Sequence, residues 1–428
     1  MTTTASQIKD LDIYHLWVPT REVIRREMER AHIHLWSEVE IIHVVLESGV
    51  EGVGETIVNY TWGRPRQPER AIGRNPAELM WDDQCGAGLQ MALFDAVGKE
   101  LGVPVHRLLG VPVRTHCPIS HWGHDMPPAL YAQEARLAVE LGYTSMKIKT
   151  RPWFDVRETL RQISSHTPDG FRIDADWNDF LLSGPRAVAV MQELSRDFPK
   201  LSLVEGPLPV EDSDGNRSLM QAIAVPVVHH YSDALARRIL DGKVCDGFVM
   251  AGGVSQIVRG GLTAASLNMP FFLQMVGTGL TTAMAAHLGA VLSHAQWPAI
   301  TCHEIYENDL VTSPIPIRHG YVEVSERPGL GVTLDMEAVR RYAMHGSESA
   351  VPPRILKFSR SNGMEVYFAD NSHNLSAVWS YFKQGNQPVC ERGVDMRMLE
   401  IADDPQLQAL YDRARRAGPV VCFREPPP

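Results

Sequence analysis

The chain lacks the paired cysteines, long apolar runs and basic excess that mark several large classes of protein. Its six cysteines, Cys85, Cys117, Cys245, Cys302, Cys390 and Cys422, are widely spaced and none forms a C-x-x-C pair. That argues against a disulfide framework or a zinc ribbon and for reduced thiols in a cytoplasmic protein. No stretch approaches the roughly 18 apolar residues of a membrane span. The opening MTTTASQIKDLDIYHLW has no basic start followed by an apolar core, so neither a membrane association nor a secretory leader is expected. Lys plus Arg number 41 against 51 Asp plus Glu, a formal net charge of −10. Nucleic-acid affinity rests on neutralising phosphates, so no nucleic-acid partner is expected. No glycine-rich loop follows a strand-like run, which disfavours a dinucleotide fold. What is present is globular: 44% hydrophobic and 21% charged residues over 428 positions. Wholesale disorder is excluded, and the length suits two or three domains or one barrel with attachments.

The first hundred residues read as α+β. VEIIHVVL (39–46) is a β-branched strand, ESGV a turn and EGVGE the start of a returning strand. Residues 76–101 carry helical spacing that opens at Pro76 and runs through MALFDAVGKEL. From about residue 115 short apolar runs alternate with amphipathic segments. The runs are HCPIS (116–120), YTSMKIK (143–149), GFRIDAD (170–176), LSLVEG (201–206), VPVVHH (225–230), CDGFVM (245–250), MPFFLQM (269–275) and PAITCHE (298–304). Eight strand–helix units predict a (β/α)8-type barrel.

Active sites of such barrels lie at the C-terminal strand ends. Those ends offer His121, Trp122 and His124, then Lys147 and Lys149, Asp174 and Asp176, Glu205, His229 and His230, Gln274, and His303 with Glu304. The steps Lys149 to Asp174, Asp174 to Glu205 and Glu205 to His230 are 25, 31 and 25 residues. Each is about one βα unit, so the residues should form a ring. Lys147-x-Lys149 places both lysines on one face of a strand. Paired cations depress a lysine pKa toward a usable base; two solvated surface lysines are the bland reading. Asp174 and Glu205 suit a hard dication such as Mg²⁺, against the alternative of capping or salt-bridged carboxylates. Lysines beside a metal–carboxylate site fit removal of the proton α to a carboxylate and stabilisation of the enediolate.

At this point the pattern resembles a known family, the enolase superfamily, and within it the mandelate racemase / muconate lactonizing enzyme group, over about residues 10–345. VEIIHVVLESGVEGVGET is similar to its capping hairpin and MALFDAVGKELGVPVHRLLG to its A-L-W-D-x-x-G-K helix. SMKIKT, RIDAD and LVEGPLP match its K-x-K, Asp and Glu strands; AGGVSQ and PGLGVTLD resemble its later turns. The resemblance implies a modified TIM barrel, residues 115–320, under an α+β capping domain, residues 1–114, with a return segment 321–345 closing onto it. Residues 346–428 are then a C-terminal extension, expected to pack on the capping domain or a neighbouring subunit. Specificity loops would include Val18 to Arg26 and Tyr60, Thr61 and Trp62. The resemblance also implies Mg²⁺ dependence, a small carboxylate substrate and a homo-oligomer, dimer or octamer.

The departures shape the expected reaction. Where the family carries a third metal carboxylate, this chain reads PVVHHYSD; His230 is the expected equivalent and Asp233 the runner-up. Imidazole suits Mn²⁺, Fe²⁺ or Zn²⁺ better than Mg²⁺, so another divalent metal is an alternative. The racemase Asp–His dyad is missing, with Gln274 in place of its histidine, and Gln is neither acid nor base. His121 or His124, flanking Trp122 in SHWGHD, are the substitute acids; packing or loop capping is the alternative for each. Glu304, with Glu307 as rival, would lie near the substrate carboxylate. The expected function is a lyase, dehydrating a sugar acid or another hydroxy-acid with Lys149 as base assisted by Lys147. Racemisation or epimerisation of the same substrates is the alternative, and a barrel that binds a ligand without turnover is the third.

Overall fold

The computed structural model of the chain describes residues 4–60, 62–344, 352–370, 375–402 and 404–423. Strands β1 (Ile8–Trp17), β2 (Glu38–Leu46) and β3 (Glu51–Ile57) form an antiparallel sheet in that order, with helix α1 (Glu22–Arg30) between the first two. The β2–β3 turn passes through Gly49 at φ +84°, the left-handed conformation that glycine adopts without a Cβ penalty. Helix α2 (Ala87–Leu101) lies so close across β3 that a Cβ added to Gly54 would sit 2.1 Å from the Gly88 carbonyl oxygen. The helix expected over 76–101 is shorter than its spacing predicts. Residues 76–85 instead make two short 3-10 turns, capped by Asn75 and Asp82, whose side chains accept from Ala77 N and Gln84 N. Such side chains offer the backbone a local alternative to the helix.

After α3 (Val105–Leu109) and β4 (His116–Pro118), seven parallel strands pair in sequence order: β5 (His121–Gly123), β6 (Ser145–Lys149), β7 (Arg172–Asp176), β8 (Leu201–Glu205), β9 (Val227–His230), β10 (Gly247–Met250) and β11 (Phe271–Leu273). Helices α4 (Pro128–Glu140), α5 (Val156–Ser165), α6 (Gly184–Asp197), α7 (Ser213–Ala222), α8 (Asp233–Asp241), α9 (Val254–Ser266) and α10 (Gly279–Val291) alternate with them. Two of the eight expected strands differ. HCPIS is not the first barrel strand: its β4 pairs antiparallel with β13 (Tyr321–Glu323), which in turn pairs with β12 (Ile317–Arg318). Pro118 removes a ladder donor, which suits an edge and not a strand paired on both sides. The eighth run forms no strand. Single bridges, Gln274 to Ile300 and Ile119 to Ala299, join β11 to the chain entering β5 and complete the ring. Pro298 lacks a donor and Cys302 turns left-handed at φ +59°, so only three residues between them are free to pair.

Two buried carboxylates tie the cap to the barrel. Glu55 of β3 accepts from Thr278 N (2.8 Å), Thr278 Oγ1 (2.6 Å) and Thr281 N (2.7 Å) at the start of α10. Asp95 of α2 accepts from Val53 N, Lys99 Nζ and Leu330 N. After α11 (Met336–Arg341) the chain runs beside β1, Trp17 N donating to Tyr342 O at 2.8 Å. The boundary expected at 345/346 lies outside the described residues.

The remaining chain builds a four-stranded antiparallel sheet, ordered β16 (Asp395–Glu400), β14 (Arg354–Ser359), β15 (Met364–Asp370), β17 (Val420–Phe423), with helices α12 (Ser376–Lys383) and α13 (Pro405–Ala417). One hydrophobic cluster holds Ile355, Tyr367 and Tyr411 of α13. The other holds Leu356, Phe358, Phe368 and Phe382 together with Trp153, Phe154 and Phe180 from the loops after β6 and β7. The extension is therefore cored partly by barrel residues. It is pinned to the cap as well: Arg354 Nε lies 2.8 Å and His32 Nε2 2.9 Å from Asp370, all three buried, and Arg354 Nη2 donates to Glu29 O at 2.6 Å. Among the described residues no helix is long and apolar enough to cross a membrane.

Candidate active site at the barrel mouth

Strand register builds the site. Lys147 is level with Asp174, Lys149 with Asp176, and Asp176 with Glu205. Lys147 is fully buried, with Nζ 2.5 Å from Glu205 Oε2, 3.5 Å from Asp176 Oδ2 and 2.6 Å from Gln274 Oε1. Gln274 Nε2 donates in turn to Tyr60 Oη at 2.6 Å. Burial opposes the charge on Lys147, but Glu205 and Asp176 outweigh it and hold its pKa above the usual lysine value. Lys149 differs. Its Nζ is ion-paired with Asp176, and Tyr131 Oη accepts from its backbone N–H at 3.1 Å. Burial lowers its pKa; Asp176 works against the shift, while Lys147 and Arg151 add to it. Two adjacent lysines thus have opposite tendencies, one locked as a cation and one readier to release its proton.

The expected metal ligands are close but not grouped. Asp174 accepts from Ser202 Oγ at 2.8 Å, and burial pushes its carboxyl up to about 6. Glu205 has Lys147 on one oxygen and His230 Nε2 at 3.3 Å from the other. Burial alone would raise the Glu205 pKa, yet Lys147 and His230 bring it below the ordinary range. The His230 side chain is 55% exposed. Asp233, the runner-up, accepts instead from Tyr231 Oη at 3.0 Å. Mg²⁺ demands near-octahedral oxygen coordination. Among the described residues no three His, Cys, Asp or Glu side chains are grouped to hold an ion. The cation at Glu205 here is an ammonium, so this donor set does not fit a three-carboxylate Mg²⁺ site.

The first-strand residues divide by alternation. His121 packs against the helix layer, 3.7 Å from Glu134 of α4 and edge-on to Tyr143. The structure does not bring it to the lysines. Trp122 and His124 face the cap instead, the two rings 4.8 Å apart and Trp122 stacked on Trp36 at 5.3 Å. Burial, with Arg151 and Lys149 nearby, holds the His124 pKa well below its usual value. Glu304 is buried and accepts from Trp122 N, with His303 Nδ1 3.4 Å away. It braces β5 and makes no contact with either lysine among its hydrogen bonds and ion pairs. Glu307 pairs at the surface with Arg25 at 2.5 Å. His229 is bonded to Asn216 of α7. Trp62 packs against the main core, with its indole N–H unpaired, and Thr61 lies outside the described residues.

Sequence reasoning missed four mouth residues. Arg151 extends the lysine alternation by one step, K-x-K-x-R, and donates to Asn178 Oδ1 at 2.7 Å. Asp125 follows His124 and gathers Arg30 of α1 (3.0 Å) and Trp153 Nε1 (2.8 Å). Trp379 and Lys383 come from α12 of the extension; the Arg151 guanidinium lies 4.7 Å from the Trp379 ring centroid. Two cavities open here. One of about 320 Å³ is bounded by Trp36, Asn59, His124, Arg151 and Trp379. The other, about 260 Å³, is bounded by Asp176, Glu205, His230, Trp379 and Lys383. The sequence signal for Arg151 was its spacing; Trp379 and Lys383 had none, since Arg151 and Asp176 lie more than 200 residues upstream.

Comparison with known proteins agrees with this architecture. Residues 130–339 match the family described as Enolase C-terminal domain-like. D-xylonate dehydratase of Haloferax volcanii is 24% identical over 361 residues, covering 72% of this chain and 85% of the relative. D-galactonate dehydratase of Xanthomonas euvesicatoria pv. vesicatoria is 25% identical over 348 residues, covering 70% and 90%. The crystal structure of muconate cycloisomerase from Pseudomonas fluorescens superposes with a TM-score of 0.63 at 21% identity, covering 80% of this chain and all of that one. With K-x-K, Asp and Glu on consecutive strands of a capped barrel, residues 130–339 form an enolase C-terminal domain-like barrel, and the chain resembles the enzymes of the mandelate racemase / muconate lactonizing enzyme group.

Proposed function

We propose that the protein abstracts the proton α to the carboxylate of a hydroxy-acid with Lys149 and eliminates the β-hydroxyl, so that a sugar acid is dehydrated. The observation that carries this reading is the pair of inward lysines held apart electrostatically, Lys147 pinned by Glu205 and Asp176, Lys149 paired with Asp176 alone. Lys147 supplies a fixed cation beside the substrate carboxylate, where negative charge grows as the α C–H bond breaks. Lys149 takes that proton. As an ammonium it then stands on the same face and returns the proton to the departing β-hydroxyl, which leaves as water, while the C–H electron pair forms the enol that tautomerises to the 2-keto acid. One base on one face suffices, which favours elimination over racemisation, since inversion needs a second group opposite. His124 is held neutral, so it serves as a hydrogen-bonding partner rather than as the acid. A divalent metal is not built into these steps, and its contribution is read by the same assay. The dehydratase relatives make D-xylonate and D-galactonate the first acids to try. In D2O, the protein should exchange the α-proton of such an acid and release a 2-keto-3-deoxy product, with EDTA and with Mg²⁺ or Mn²⁺ as separate arms. Lys149→Ala should abolish both. Exchange surviving in Lys149→Ala, or none with any acid in any arm, would overturn the reading.

A further inference from the structure

We infer that helix α12 of the C-terminal extension roofs this site and that Trp379 and Lys383 select an unphosphorylated, polyhydroxylated tail of the substrate. The inference rests on the reading above and adds the tail and its recognising residues. The family match ends at residue 339, and the muconate cycloisomerase is matched along its whole length by 80% of this chain. Helix α12 lies beyond residue 339, where the family match ends.

Trp379 and Lys383 are four residues apart and share one helix face. Val378 and Phe382 sink into the cluster with Trp153 and Phe180, which fixes the helix over the loops after β6 and β7. Trp379 borders both cavities, with its ring 5.0 Å from Phe180. Lys383 Nζ sits at the rim, 3.4 Å from Asp179 Oδ2 and 5.5 Å from the Trp379 centroid.

The chemistry of the smaller cavity identifies the tail. Asp176, Asn178, Asp179, Glu205, Glu211 and Lys383 are all hydrogen-bonding groups around its wall. Lys147 and Lys149 already pair Asp176 and Glu205, and Asp179 and Glu211 face Lys383, so the wall carries no excess positive charge to hold a phosphate or a second carboxylate. Ionised carboxylates accept from hydroxyl groups, and each keeps lone pairs beyond those its ion pairs use. Trp379 offers the apolar face on which the C–H side of a polyol packs. The substrate then lies with its carboxylate toward Lys147 and Lys149 and its hydroxyl chain beneath α12.

The test uses the full-length chain and the variants W379A, W379F, K383M and K383R. Binding of D-galactonate and D-xylonate is measured by titration calorimetry, and α-proton exchange by NMR in D2O. W379A and K383M should each weaken aldonate binding by about tenfold or more, the loss of a stacking face or a charged hydrogen bond. W379F and K383R should recover most of it, and KM should rise with kcat little changed. Lactate and mandelate, which have no polyol tail, should not respond to either substitution. Unchanged aldonate binding in both truncating variants overturns the inference, as does a wild type that exchanges mandelate but binds no aldonate. Aldonate binding weakened in the variants, with no exchange in the wild type, upholds the roof and overturns the proposed reaction. Neither binding nor exchange with any acid overturns both.

Discussion

Replacing Arg354 by methionine tests how the extension is held. The guanidinium is 5% exposed and lies 2.8 Å from Asp370, which is itself buried beside His32. Its Nη2 donates to the Glu29 carbonyl at 2.6 Å. Methionine keeps much of the apolar stem and removes every donor. Asp370 would keep only the imidazole, and the Glu29 carbonyl would lose a partner. Breaking one side of a buried ion pair costs about 3–5 kcal/mol, because the remaining charge stays desolvated. A total stability of about 5–15 kcal/mol is typical of a domain, so the loss is a large fraction of what holds α12 over the mouth. Urea unfolding followed by tryptophan fluorescence should show the transition moved to lower denaturant, and limited proteolysis should cut the extension faster than the barrel. The double variant Arg354→Met/Asp370→Asn removes the stranded charge, leaves His32 a neutral partner, and should regain at least half the loss. A single variant within about 1 kcal/mol of wild type, or a double variant less stable than the single, would refute the account.

Three further outcomes are expected. Glu55→Ala strands Thr278 and the first N–H groups of α10, and should cost about 2–4 kcal/mol by thermal or urea unfolding; a smaller effect than an exposed control would contradict the tie between cap and barrel. Gly54→Ala places a Cβ 2.1 Å from the Gly88 carbonyl and should give insoluble protein or lose several kcal/mol, roughly the upper end of overpacking costs. His287 bonds Leu330 O through Nε2, faces His106 Nδ1 at 3.3 Å, and is pushed down to about 4 by burial. For a base with a depressed native pKa, stability is full above the ordinary 6.5 and falls as pH drops toward 4. The loss over that window is about 3 kcal/mol, and His287→Gln should flatten it in denaturation curves at pH 7 and pH 4.

The ladder of Lys147, Lys149, Asp174, Asp176 and Glu205 was legible because each side chain's level follows from strand periodicity and one-unit spacing. The failures have physical reasons of two kinds. His121 was placed in the ring although it alternates with Trp122, and the same period of two sends it toward α4, on the side where a Cβ at Gly123 would meet the Tyr131 ring at 2.5 Å. HCPIS looked like a strand by composition, but Pro118 decides its pairing. The contribution of the extension was illegible for another reason. Nothing local to SAVWSYFK says that it meets a loop near residue 151; only the shared core with Trp153 and Phe180 does.

That shared core also sets an order of events. Arg157 of α5 bonds the carbonyl of Cys390, 233 residues later, and His32 meets Asp370 across 338 residues. At about 5–20 residues per second, a growing chain waits roughly 10–50 s between making the loop after β6 and making its cover. During that time Trp153, Phe154 and Phe180 have no partners from β14 or α12, and the barrel mouth is unfinished. A nascent chain or a 3′-truncated message would therefore yield a barrel that can close but carries an open, sticky apolar rim, and completion of the last fifth of the chain becomes the step that both stabilises the rim and finishes the pocket.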